Sequence, residues 1–228
     1  MLTNGSNMAE LTLHDLVSNR TLAPGMAALL AAAAEKRRSL LMVAIPRMAG
    51  KSTLMEAVLE ERATGVPLYL LGTRHGDSLG IPSTSKDIGY LTMSEIARHP
   101  VTDSYLWGDH VQQIFEAARL AGHAIATSLH ADGVESAFEV IAETGVTDEQ
   151  ASLIDLVVYI RSIGEWRNPE RRVVECLYEV DGVEAGQPST RLIHRWHEIS
   201  DTFEEISEPV LVPTEAYKRQ LERFNNVM

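Results

Sequence analysis

Four residues, Gly50-Lys51-Ser52-Thr53, stand in a row between an apolar run (residues 39–45) and a stretch with helical spacing (residues 51–63). A helix that starts here leaves its first backbone N–H groups without intrahelical partners, and the helix dipole adds partial positive charge at the same place. A polyanion, above all a phosphate, satisfies those donors. Gly50 would let it reach the backbone with no side chain in the way. Lys51 supplies a point charge for terminal phosphates. Ser52 offers a hydroxyl oxygen to Mg2+, and Thr53 can reach a further phosphate oxygen. The contact set is therefore Arg47, Met48, Ala49, Gly50, Lys51, Ser52 and Thr53. A loop glycine and a solvated lysine at an ordinary helix start is the plainer reading. The strand–loop–helix order favours phosphate.

The match to the phosphate-loop pattern G-x-x-x-x-G-K-[ST] is incomplete. Position 45 is Ile45 instead of glycine, and Pro46 and Arg47 stiffen and charge a loop that is usually built of small residues.

The elements that must hold this loop can be read along the chain. Residues 39–45, Ser-Leu-Leu-Met-Val-Ala-Ile, show no polar alternation, as a strand buried on both faces of a parallel sheet would. Before them, residues 11–36 predict two helices broken at Pro24-Gly25. After them come a strand at 66–71, a Gly/Ser/Pro/Asp-rich loop at 72–87, a weak helix near 92–98 and a strand at 104–107. Helices at 111–121, 132–143 and 147–155 alternate with strands at 124–128 and 156–161. Such alternation predicts an α/β fold with a mostly parallel central sheet. Residues 172–180 and 190–197 alternate apolar and polar around Asp181-Gly182 and Gly186, which predicts an antiparallel hairpin on the sheet edge. The expected division is a leader (1–10), one domain (11–200), and an acidic linker with a final charged helix (201–228).

Composition excludes some classes. The chain has 228 residues, 45% hydrophobic and 23% charged, as an ordinary folded domain with an appendage would. Its 20 Lys+Arg against 32 Asp+Glu give a net charge of -12, so there is no direct nucleic-acid signal. Cys176 is the single cysteine, which rules out an intramolecular disulfide and suits a reducing cytoplasm. No apolar run nears the ~20 residues needed to cross a bilayer, and residues 1–10 lack the blocks of a signal peptide. His75, His99, His194 and His197 lack zinc-ligand spacing.

Two further segments carry a resemblance. Thr102-Asp-Ser-Tyr-Leu-Trp-Gly-Asp109 is a short strand ending in Gly-Asp, and Gly122-His-Ala-Ile-Ala-Thr-Ser-Leu-His-Ala131 follows it. With the phosphate loop, these resemble the secretion-superfamily ATPases: pilus extension and retraction motors, type II secretion ATPases and type IV secretion traffic ATPases. In those proteins a strand ends Gly-Glu and a Gly-His…Thr-Leu-His segment comes next. The likeness spans roughly residues 11–200. It implies a P-loop NTPase domain with a RecA-like sheet, binding ATP and Mg2+. It places Asp109 where a carboxylate holds the Mg2+ shell or orients the attacking water, and His130 where a histidine senses the terminal phosphate. It also implies a cytoplasmic hexamer, peripheral to the inner membrane through a pilus or secretion assembly. From the residues alone, Asp109 equally suits a helix N-cap, and His130 a loop histidine bonded to backbone.

The chain also departs from that pattern. The family's acidic pair after its second strand is replaced by Gly72-Thr-Arg-His-Gly-Asp77, and no Arg follows Gly108-Asp109. The helix between Asp109 and Gly122 is about one turn short. The N-terminal domain of the large motors is expected to be missing or reduced to a stub. Arg74 and Arg98 are the candidates for neutralising transition-state charge. Three readings follow: an ATPase, slowed by these losses, that couples hydrolysis to movement of a partner assembly; a nucleotide-binding regulatory or assembly subunit that hydrolyses weakly or not at all; and a small-molecule kinase, whose lid would have only Arg74 and Lys86.

Overall fold

The computed structural model describes residues 11–45, 48–83, 87–99, 101–165 and 167–226. Arg47, Lys86 and the leader through residue 10 lie outside them. The apolar run before Gly50 forms β1 (Leu40–Val43), buried at all four positions. Its side chains alternate between two cores, as strand geometry requires: Leu40 and Met42 join one, Leu41 and Val43 the other.

β1 is central to a sheet whose parallel half also holds β7 (Leu156–Glu165), β6 (Ala124–Leu129), β3 (Tyr90–Thr92) and β2 (Leu68–Leu70). The antiparallel half is β8 (Asn168–Glu184), β9 (Gln187–His197) and β10 (Thr202–Glu205). The order is β10-β9-β8-β7-β1-β6-β3-β2. Two short strands, β4 (Glu95–Ile96) and β5 (Tyr105–Leu106), pair with each other beside β6. On one face pack α1 (Leu13–Ser18), α2 (Pro24–Glu35), α3 (Lys51–Leu59) and α7 (Thr214–Asn225). The other carries α4 (Asp109–Ala121), α5 (Val134–Glu143) and the single-turn α6 (Asp148–Ala151).

The mostly parallel sheet and the antiparallel hairpin are therefore present, but three local expectations are corrected. Residues 92–98 are not a helix; β3 and β4 lie there, and β3 is the strand beside β6. Three residues are too few for a period to show, yet Tyr90 and Leu91 are fully buried. The strand predicted at 104–107 shrinks to β5, off the main path of the sheet. The acidic stretch after residue 200 contains β10, paired to β9 with Phe203 opposite Trp196. Near the N-terminus, a Thr12–Asp15 capping box opens α1, which ends at Ser18, and Pro24 opens α2, so the two helices part before Pro24-Gly25 as expected.

The final helix packs on α2. Tyr217 and Phe224 enter the core, Arg219 pairs with Glu35, and Arg223 holds Glu61 with two bonds of 2.6 and 2.9 Å. Just before α7, the buried Glu179 carboxylate accepts from the backbone N–H groups of Val210 and Leu211 at 2.9–3.1 Å.

His194 of β9 sits at the seam between sheet and helices, 3% exposed. A Cβ on Gly25 of α2 would lie 2.8 Å from its Cε1, so the helix can pass this close only as glycine. Its Nε2 has no hydrogen-bond partner among the described residues. Burial, opposed weakly by the Glu204 backbone, holds the imidazole down to about 4. As pH falls from ~6.5 toward 4, the unfolded chain takes a proton that the folded one refuses. Wild-type protein should lose on the order of 3 kcal/mol more stability across that window than His194→Gln. Denaturant melts at several pH values check this; parallel profiles would exclude His194 as the group responsible.

Candidate active site

Gly50 caps α3 in the left-handed region, at φ 94°, and no side chain caps the first turn. A side chain at position 50 would be strained, and its Cβ would come 2.9 Å from Cδ of Arg172. The first-turn amides thus face a cleft of about 1250 Å3, lined by Met48 through Thr53, Glu95, His130 and Arg172. A more apolar wall includes Leu68, Val101 and Tyr105. Ser52 and Thr53 are exposed to the cleft. Lys51 is not: it is 7% exposed.

A buried ammonium needs counter-charge, and two elements supply it. Lys51 Nζ lies 3.3 Å from Glu95 Oε2 and 3.3–3.4 Å from the ring nitrogens of His130. Glu95 is itself 7% exposed. Its second oxygen, Oε1, is 3.4 Å from His130 Nε2. His130 Nδ1 is 2.9 Å from the Ala44 carbonyl, which can only accept. The Nδ1 nitrogen therefore carries the proton, and Nε2 faces Lys51 and Glu95.

The backbone explains why these three meet. β6 pairs with β1, Val43 opposite Leu129, so His130 emerges beside Ala44 at the start of the phosphate loop. β4 pairs with the same strand end, Ile96 opposite Leu129, which puts Glu95 next to His130. The turn into β4 is fixed by Ser94 N–H donating to the Ser104 carbonyl and hydroxyl, each at 3.0 Å. Ser128 Oγ donates to the Ser94 carbonyl at 2.8 Å. Glu95 is therefore held by three neighbouring segments.

Among the residues singled out in the sequence, the structure brings Met48, Ala49, Gly50, Lys51, Ser52, Thr53 and His130 to one cleft; Arg47 lies outside the described residues. Asp109 does not join them. It is the first residue of α4, exposed, and not among the residues lining the cleft. The carboxylate beside Lys51 is Glu95, which the sequence reading missed. Its signal is a carboxylate just after the apolar Tyr90-Leu-Thr-Met93, the same strand-then-acid pattern that points to Asp109. Arg74 is tied to Asp103 at 3.0 Å and Arg98 to Glu143 at 2.8 Å, so both bear on other carboxylates. His123 Nδ1 accepts from Gly89 N–H, and Cys176 is buried in β8.

The buried pair makes its own prediction. Lys51→Met should destabilise the fold by roughly 3–5 kcal/mol, because it strands the Glu95 carboxylate. Adding Glu95→Gln should recover at least about 1 kcal/mol of that, a coupling that a double-mutant cycle of unfolding free energies measures. Strictly additive losses would mean that the two side chains do not interact.

No protein-family model matches the chain, and no curated protein does so. Solved structures do. The VirB11 ATPase from the Brucella suis type IV secretion system, solved in complex with sulphate, aligns with TM-score 0.50 at 18% identity over 76% of this chain. The Legionella pneumophila ATPase DotB aligns with TM-score 0.40 at 15% identity over 87%. The chain spans 58% of the first protein's length and 52% of the second's. Among the described residues, no helix is long and apolar enough to cross a membrane. At such identity the likeness establishes architecture: the chain has an α/β P-loop NTPase fold, with a mostly parallel central sheet and an antiparallel C-terminal hairpin.

Proposed function

We propose that this chain binds MgATP in the α3 cleft and hydrolyses it. The observation that carries the reading is the convergence of Lys51, Glu95 and His130 at the uncapped start of a helix that follows a buried parallel strand. The amides from Gly50 onward and the Lys51 ammonium hold the phosphates. The donor set fits Mg2+, since the Ser52 hydroxyl and the Glu95 carboxylate are oxygen ligands; the ion would neutralise phosphate charge. Glu95 orients the attacking water, a role that the resemblance gives to Asp109, and accepts its proton. His130, fixed through Nδ1 by Ala44, keeps Nε2 against Lys51 and Glu95 and so positions both at the terminal phosphate. Phosphoryl transfer depends chiefly on such positioning and charge neutralisation, so three side chains and a row of amides are an adequate basis for it. We extend the reading to a cytoplasmic, oligomeric motor that couples hydrolysis to movement of a secretion or pilus assembly. It is supported by the fold shared with VirB11, named as a type IV secretion ATPase.

One observation favours a second reading, a nucleotide-binding subunit that does not turn over. The Glu95 carboxylate is engaged by both Lys51 and His130, so neither oxygen is free to orient a water unless the phosphates draw Lys51 away. Phosphate release and ATP titration separate the two. For the ATPase, wild type should release phosphate from MgATP well above Lys51→Ala. Glu95→Gln should bind ATP within a few-fold of wild type while turnover falls at least about a hundredfold. Because Lys51→Ala also removes a buried charge, Ser52→Ala serves as a second low-activity variant. Tight ATP binding with no release by wild type would select the second reading. Release equal in wild type and both variants would refute the site.

A further inference from the structure

The cleft holds a cation that neither the phosphate-loop pattern nor the resemblance pointed to. Arg172 stands on β8, opposite Ser162 of β7, and reaches across the phosphate loop. Its Nε donates to the Met48 carbonyl at 2.8 Å. Its Cδ lies over Gly50, in the space that only a glycine leaves open. The guanidinium therefore sits on the loop at the residues leading directly into Lys51 and the first-turn amides of α3.

The arginines around it are engaged with carboxylates. Arg171 pairs with Asp201 at 2.5 Å, and Arg20 pairs with the same Asp201 at 3.0 Å. Arg74 and Arg98 are bound to Asp103 and Glu143. Arg172 meets no carboxylate within 4.0 Å among the described residues, and its one hydrogen bond there uses Nε. Nη1 and Nη2 retain four N–H donors in a planar fork, the geometry that grips two oxygens of one phosphate.

We propose that Arg172 is a phosphate ligand of this site, supplying in cis the guanidinium charge that Arg74 and Arg98 do not bring. The proposal rests on the MgATP reading. It gives the C-terminal hairpin a part in the chemistry, since β8 carries the charge that closes over the loop. It also accounts for glycine at position 50 from above as well as below. The left-handed backbone needs it, and so does the arginine lying across it.

Calorimetric titration of ATP and AMP into wild type, Arg172→Ala, Arg172→Gln and Arg172→Lys tests this, with thermal melts in the absence of nucleotide as the control. Arg172→Ala and Arg172→Gln should raise the Kd for ATP about ten- to a hundredfold. AMP binding should change little, Arg172→Lys should fall between them and wild type, and the melts should stay within a few degrees. Gln keeps a donor for the Met48 carbonyl, so a role confined to bracing the loop predicts near-normal ATP affinity for that variant and would overturn the assignment. Equal weakening of ATP and AMP, with no recovery by Lys, would overturn it as well. If wild type binds no ATP, the nucleotide site itself falls and Arg172 with it. If wild type binds ATP and the variants match it, only Arg172 is withdrawn.

Discussion

Lys51 is an ammonium taken out of water, and the site is arranged around that fact. An unpaired buried charge costs several kcal/mol. A lysine 7% exposed can therefore persist only where a carboxylate and further acceptors surround it. Glu95 meets the first need and His130 helps with the second. The same pairing explains a feature that would otherwise be odd. Glu95 belongs to a two-residue strand, yet Ser104 and Ser128 fasten the turn that leads into it. A carboxylate that must balance a buried cation cannot sit on a loose turn, since mobility would expose one charge and strand the other.

The sheet order turns this local demand into a site. In open α/β sheets ligands bind beyond the carboxyl ends of the parallel strands, because loops and helix N-termini gather there. Here β1 runs toward Gly50 and α3, β6 ends at His130 and β3 leads into Glu95, all on one edge. The loop is also gripped from the other side, since β8 is joined to β1 through β7 and presents Arg172 to Met48 and Gly50. Met48 itself has φ 62°, a conformation that side chains other than glycine seldom adopt. Its carbonyl is held in that conformation by the hairpin.

The sequence shows the parts of this arrangement whose signal is local. A doubly apolar strand, a Gly-Lys-Ser-Thr turn and a helix are neighbours in the chain, so β1, the loop and α3 can be read directly. The hairpin is visible through its period of two. His130 is singled out through the resemblance, by the segment from Gly122-His123 to Leu129-His130. Glu95 is hidden because β3 has three residues and β4 two, so pairing with β6, not periodicity, makes them strands. Asp109 is legible because the segment 102–109 ends in Gly-Asp where the resemblance has Gly-Glu, whereas the strand beside β6 is β3, whose acidic follower is Glu95. Arg172 is invisible for a different reason: its contact with Met48 joins residues 124 apart, and a separation of that kind leaves no trace in local spacing.

The tail completes the same physical argument. Read as a solvated linker because it is acidic, the stretch after residue 200 instead supplies β10 and leads to a helix that covers α2. Its acids have specific partners: Asp201 receives Arg171, Arg20 and the Trp196 indole, and Glu204 receives His197. Arg171 and Arg172 are adjacent in β8, so consecutive side chains point to opposite faces. One is neutralised by the tail and the other reaches the phosphate loop. The acidic tail binds Arg171 and leaves Arg172 without a carboxylate among the described residues, so of the two arginines that line the cleft it is Arg172 whose charge stays uncompensated. Within the cleft, too, acids outnumber bases: Glu56, Glu60, Glu61, Glu95 and Glu170 line it beside Lys51, Arg171 and Arg172, so which arginine keeps its fork clear of carboxylates matters more there than the chain's net charge of -12.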